Sequence, residues 1–443
     1  MAPAPGNLSI DAALASVRER YARSNPKSAA AFEAAKRVMP GGNTRSVLYF
    51  EPFPLTMERG EDAEVWDIDG HRYCDFVGEF SAGLYGHTDP RIKAAIVKAL
   101  DRGVVLAAPT TMEERLASAI NERFPSIQKL RFCNSGTEAN ILAIVTAIAV
   151  TGRSKVLVFR EAYHGGVLAF SGGSSPINVP FDFVVAEFNK VESTTALIRQ
   201  HAKNLAAVIV EPILGAAGNI PATEGFLHAL RRETQKTGTL LIFDEVKTSR
   251  CGPGGMQGIV GIAPDLTTLG KYIGGGLASG AFGGRRDVMD RYDPTSSNAL
   301  RHAGTFNNNV CSMTAGYTGL TQVFTRERAK VFLEEHEAFR RKLNERVASS
   351  NVPVQITGLG SMFTIHFANR PITTPADIPP ISRRLAQLFH VESLLQGVLV
   401  ASRGDVFFSL PVGERHTRAL SNAISHFVDL YGELIRREMA QLS

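Results

Sequence analysis

A rhythm in the middle of the chain restricts its fold more than any other feature. From about residue 111 of 443, short apolar runs at 130–132, 156–159, 183–185, 206–210 and 240–243, then at 281–282, alternate with stretches of amphipathic helical period. Strands separated by helices do not close as hairpins. They pair through crossovers, which gives a mostly parallel sheet with helices on both faces. The expected fold class is α/β. In such sheets ligands gather beyond the carboxyl ends of the strands, so chemistry is sought in the residues that follow each run.

The flanks differ. Residues 8–38 carry Ala, Arg, Glu and Ser at helical spacing, and Pro40, Gly41 and Gly42 then break the pattern. Alternation over 55–76 predicts a hairpin turning at Asp69 and Gly70, and a helix is expected over 91–101. After about 323 come a long charged helix (326–349), strands near 354–357, 363–367 and 398–401, and a terminal helix (415–439). A chain of 443 residues exceeds one core of ordinary size, so at least two domains are expected. We assign 69–323 to a large ligand-binding domain and 324–443 to a smaller α+β domain that residues 1–68 join.

Composition excludes several classes. Hydrophobic content of 44% and charged content of 21% are those of a globular protein. No run reaches bilayer-spanning length; the nearest, 141–150, reads as a buried helix, so no membrane is expected as partner. The start of the chain has no basic segment followed by an apolar one, which predicts a cytoplasmic protein. Cys74, Cys133, Cys251 and Cys311 lack metal-ligand spacing, so neither disulfides nor a metal are expected. The net charge of +5 comes from dispersed Lys and Arg with no basic run interleaved with aromatics. That argues against nucleic acid and for small anions.

Four groups carry chemistry. Ser135, Gly136 and Thr137 lie between a short strand and a long apolar helix, where free amides and the helix dipole attract an anion. Taken alone, the two hydroxyls read more readily as ordinary helix caps; the glycine inside the cap and the groups below shift the reading towards phosphate. Tyr163 and His164 follow the run at 156–159, and an aromatic there can stack on a flat ring. Asp244 ends the run at 240–243. Residues two apart on a strand face one side, so Asp244 and Val246 point to the ligand and Glu245 points away. Lys271 sits on a glycine-rich turn. A strand-end carboxylate and such a lysine suggest the pyridinium counter-ion and Schiff-base amine of pyridoxal phosphate chemistry.

In this order, with Glu211-Pro212 and Gly304-Thr305-Phe306, these segments resemble the motifs of class III, fold-type I pyridoxal-phosphate-dependent aminotransferases. The resemblance covers most of the chain. It implies that Lys271 holds the cofactor and shuttles the substrate proton. It also implies that Glu211 joins the hydrogen-bond network beneath the ring, and that Thr305 reaches the phosphate of a neighbouring subunit's cofactor. A homodimer with active sites at the subunit interface follows.

Within the class, Pro40-Gly41-Gly42 and the segment 270–276 are similar to the branch holding glutamate-1-semialdehyde aminomutase. Arg45 and Arg403 match positions that bind carboxylates in β-amino-acid (β-phenylalanine type) transaminases of that branch, and guanidinium grips a carboxylate through two parallel hydrogen bonds. The expected partners are therefore an amino donor and a keto-acid acceptor. The reaction expected is ping-pong transfer from an aromatic or aliphatic β-amino acid to an α-keto acid such as 2-oxoglutarate or pyruvate. The alternatives are the aminomutase itself, and an amine transaminase for donors without a carboxylate. A cofactor-sensing regulator would need a DNA-binding module, for which the segment before Pro40 leaves little room.

Overall fold

The computed structural model describes residues 8–441. The stretch 1–7, read above for export, lies outside the described residues. At the centre is a seven-stranded sheet. Its order is Lys129–Cys133, Gly280–Gly284, Leu266–Gly270, Leu240–Asp244, Leu205–Val210, Lys155–Phe159, Asp182–Ala186. Gly280–Gly284 runs antiparallel to both neighbours, and the other pairings are parallel. Leu205–Val210 and Leu240–Asp244 are buried along their whole length. A strand covered on both faces has no polar alternation to show, and this is why those runs read as unbroken apolar segments. The fold is the expected α/β arrangement.

Leu266–Gly270 is a central strand that the apolar rhythm did not predict. Its sequence, LTTLG, holds two threonines with buried hydroxyls. Thr267 is within 2.7 Å of the Ser126 hydroxyl, and Thr268 donates to the Asn140 side-chain oxygen at 2.6 Å. Polar residues satisfied by specific partners can line a core that hydropathy alone would deny them.

Three smaller sheets accompany it among the described residues, one of them only the two-stranded ribbon of Ile213–Leu214 and Ile220–Pro221. Met57–Glu61, Glu64–Asp67 and Arg72–Asp75 form an antiparallel meander, and Val398–Leu399 adds to it in parallel beside Arg72–Asp75. The hairpin does turn at Asp69 and Gly70. Its second strand stays in this sheet, beyond the boundary expected at residue 68. Val354–Leu359, Met362–Phe367 and Asp405–Phe407 form the third sheet. Helix Ile10–Ser24 packs on helix Pro380–Leu394, where Arg20 pairs with Glu392. Both ends of the chain are thus tied together. No helix among the described residues is long and apolar enough to cross a membrane.

Candidate active site

Because six strands of the large sheet share one direction, their carboxyl ends meet at one edge. A cavity of ≈ 700 Å³ opens there. It brings together Gly136, Thr137, Tyr163, His164, Glu211, Asp244, Val246 and Lys271 with Arg45 and Arg403. Two expected residues stand apart. Ser135 caps helix Gly136–Thr151, its hydroxyl accepting from the Glu138 amide at 3.1 Å, and it does not line the cavity. The first amides of that helix, at Gly136 and Thr137, remain directed at the cavity because an α-helix offers them no internal acceptor. Thr305 lies in an exposed turn away from the cavity of its own chain.

Asp244 is held rather than merely present. One carboxylate oxygen accepts from the Asn140 amide and from His164 Nδ1, both at 2.8 Å, and the other accepts from the Val246 amide at 3.0 Å. His164 is buried, and its Nε2 has no partner among the described residues. Glu245 points the other way, as period two requires, into the amides of Met256 and Gln257. Val246 presses against the helix start. A Cβ at Gly136 would meet Val246 Cγ1 at 2.6 Å, so only glycine lets the amides approach this closely. Glu211 accepts from the Tyr163 and Gly215 amides at 2.9 and 3.0 Å, which fixes the aromatic loop. Burial raises the Glu211 pKa.

Lys271 follows strand Leu266–Gly270 with φ +59°. This left-handed conformation costs a non-glycine residue roughly 1–2 kcal/mol. Its Nζ donates to the Phe80 carbonyl at 2.7 Å. Burial, and then the ammonium of Lys247, pull its pKa down to about 7, while Asp244 opposes them.

Asn140, Lys247 and Phe80 are among the cavity residues that escaped the sequence reading. Asn140 lies one helical turn beyond Gly136, a spacing that could have flagged it. Lys247 extends the strand-end run by one residue past Val246. It donates to the Asn219 side-chain oxygen at 2.7 Å and lies over the Phe407 ring, and burial lowers its pKa to about 8. Phe80 comes from a loop with no local motif. Arg45 pairs with Glu79, and Arg403 pairs with Asp405 at 2.9 Å. Elsewhere, Glu64, Cys74 and His416 come within 4.8 Å of one another among the described residues. Glu64 there already pairs with Arg72 and Arg415, and His416 Nδ1 accepts the Gly413 amide.

A helix-start amide cup, a fixed carboxylate, an aromatic loop and an amine near neutrality suit pyridoxal phosphate in charge and shape. Fold and cavity together define a pyridoxal-phosphate-dependent transferase of fold type I. The aminotransferase class-III family model matches residues 49–427, and the chain belongs to that family, whose members use pyridoxal phosphate. It is 47% identical over 431 residues to the beta-phenylalanine transaminase of Variovorax paradoxus, covering 97% of this chain and 99% of the relative. It is 37% identical over 368 residues to a glutamate-1-semialdehyde 2,1-aminomutase of Bacillus velezensis, covering 79% of this chain and 85% of that one. The crystal structure of a beta-phenylalanine aminotransferase from V. paradoxus superposes with a TM-score of 0.94 at 48% identity, over 95% of this chain and 98% of that one. A transaminase solved with pyridoxal phosphate bound superposes with a TM-score of 0.82 at 30% identity, over 93% and 99%.

Proposed function

We propose that this aminotransferase moves the amino group of a β-amino acid, with an aromatic or aliphatic β-substituent, to an α-keto acid by a ping-pong mechanism. The observation that carries the reading is the convergence of Arg45 and Arg403 on the cavity of Lys271 from opposite ends of the chain. A β-amino donor and an α-keto acceptor hold their carboxylates at different distances from the reacting carbon, so one site must seat carboxylates in two places. Two guanidiniums meet that demand. The transaminase relative from V. paradoxus, named for a β-amino acid, supports the same donor class.

Bound pyridoxal phosphate supplies an aldehyde that accepts the amine and a ring that stores electrons when a proton leaves the substrate carbon. The chain supplies the rest. Gly136 and Thr137 offer amides to the phosphate. Tyr163 and Val246 would hold the ring between them, and Glu211 holds the Tyr163 loop in place. Asp244, steadied by His164 and Asn140, would keep the ring nitrogen of a bound cofactor protonated. Lys271, neutral for much of the time near pH 7, holds the cofactor and moves the proton at the substrate carbon. Thr305, exposed on its own subunit, would reach the phosphate held by a second copy of the chain, which makes a homodimer the working unit of this reading. The four cysteines are free, in keeping with a cytoplasmic enzyme.

A donor screen tests the reading. β-Phenylalanine, α-amino acids and 1-phenylethylamine are each supplied with 2-oxoglutarate or pyruvate. Turnover of β-phenylalanine that depends on the keto acid supports it. Turnover of glutamate-1-semialdehyde without any keto acid would assign the site to an aminomutase.

A further inference from the structure

Gly78, Glu79, Phe80 and Ser81 have φ values of +48°, +50°, +52° and +77°. Four successive left-handed residues, three of them not glycine, form a short left-handed turn. Each non-glycine residue there costs free energy, and such strain persists only where the surroundings impose it. The surroundings are visible. Asp75 accepts from the Val77 and Gly78 amides at 2.8 and 3.0 Å as the turn begins. The Phe80 amide donates to the Val77 carbonyl at 2.8 Å, and buried Arg250 donates to the Ser81 carbonyl at 3.1 Å as the turn ends.

What the turn presents is Phe80, used on two sides. Its carbonyl accepts from Lys271 Nζ at 2.7 Å. Its ring has the Arg45 guanidinium 5.6 Å from its centre and that of Arg403 6.0 Å from it. Glu79, next along the same turn, pairs with Arg45, while Arg403 is braced by Asp405 at 2.9 Å and by the Ala216 carbonyl at 3.3 Å.

We infer that this left-handed turn is a spacer built for the reaction, with Phe80 as a positioning residue. Its carbonyl anchors the Lys271 amine, and its ring is the platform that holds both guanidiniums for a carboxylate. The separation between the Lys271 amine and the carboxylate seat is then set by the covalent reach of one side chain in one rotamer. The substrate class selected is a carboxylate displaced from the reacting nitrogen, not a plain amine. This inference rests on the β-amino-acid reading above.

The test uses the holoenzyme and its Phe80→Leu and Phe80→Tyr variants, with Phe80→Met replacing the first if that does not fold. Affinity for 3-phenylpropionate, which is β-phenylalanine without its amine, is measured by calorimetry. kcat/KM is measured for β-phenylalanine and for 1-phenylethylamine. Losing the ring face beneath two cations should weaken 3-phenylpropionate roughly tenfold. It should also lower the ratio of the two kcat/KM values by a similar factor, mostly through KM. Phe80→Tyr, which keeps the ring, should restore both to within about twofold. An unchanged affinity in Phe80→Leu, or equal losses on both donors, overturns the platform. Wild-type protein that neither binds 3-phenylpropionate nor turns over β-phenylalanine overturns the functional reading and the platform with it.

Discussion

An amine drawn down to about 7 by burial and a neighbouring ammonium is a nucleophile at neutral pH. The shift also has a thermodynamic sign. In cofactor-free protein, between about pH 7 and the ordinary value of 10.5, the unfolded chain binds a proton at Lys271 that the folded chain does not. Stability from this residue therefore rises with pH across that window and is lowest below it. Urea melts of the cofactor-free protein at several pH values should show that rise, and Lys271→Met should flatten it from about pH 7 upward. A wild-type and a mutant slope that coincide would mean Lys271 keeps an ordinary pKa. Arg45 yields a second expectation at this scale. Arg45→Ala should raise KM for β-phenylalanine roughly ten- to a hundredfold, the worth of a charge-assisted pair, with a far smaller loss on 1-phenylethylamine. Initial-rate kinetics on the two donors decide it.

At the scale of elements, the anion cup depends on a helix lying against a strand end without a side chain between them. Gly136→Ala would drive a Cβ into Val246, whose Cγ1 lies 2.6 Å from that position. The helix start must retreat, which should destabilise the protein by roughly 1–3 kcal/mol. Titration of cofactor-free protein with pyridoxal phosphate should then show weaker binding, and thermal melts should show the loss of stability. Local signals had announced this part of the cavity. The Ser135-Gly136-Thr137 turn, the acid that ends Leu240–Asp244 and the glycines around Lys271 each obey a rule of two to four residues. What such rules cannot reach is pairing across the chain. Thr267 and Thr268 disguised a central strand because their partners, Ser126 and Asn140, lie far away in sequence. Phe80 carries no motif because its role comes from a backbone conformation that only distant anchors impose. Ser135 illustrates the converse: its hydroxyl accepts from its own helix at the Glu138 amide, the capping role that local sequence also offered.

For the whole molecule, the decisive contact is the parallel pairing of Val398–Leu399 with Arg72–Asp75. It lays the turn that bears Arg403 beside the loop that bears Phe80, so that two distant stretches of the chain meet at the cavity. One expected participant still lies outside this arrangement, since Thr305 is exposed on its own subunit. If Thr305 serves the neighbour's cofactor, each site needs Lys271 from one subunit and Thr305 from the other. Thr305→Ala should then weaken pyridoxal phosphate binding about tenfold or more, the worth of a hydrogen bond to a charged group. Lys271→Ala should abolish turnover. Mixed and reassorted, the two variants form hybrid dimers in which the Lys271 of one subunit meets the Thr305 of the other. Half the dimers are hybrids and each hybrid holds one intact site, so about a quarter of wild-type activity should return at limiting cofactor. Were Thr305 to act within its own chain, no site in the mixture would be whole, and activity would stay at the average of the two variants measured apart.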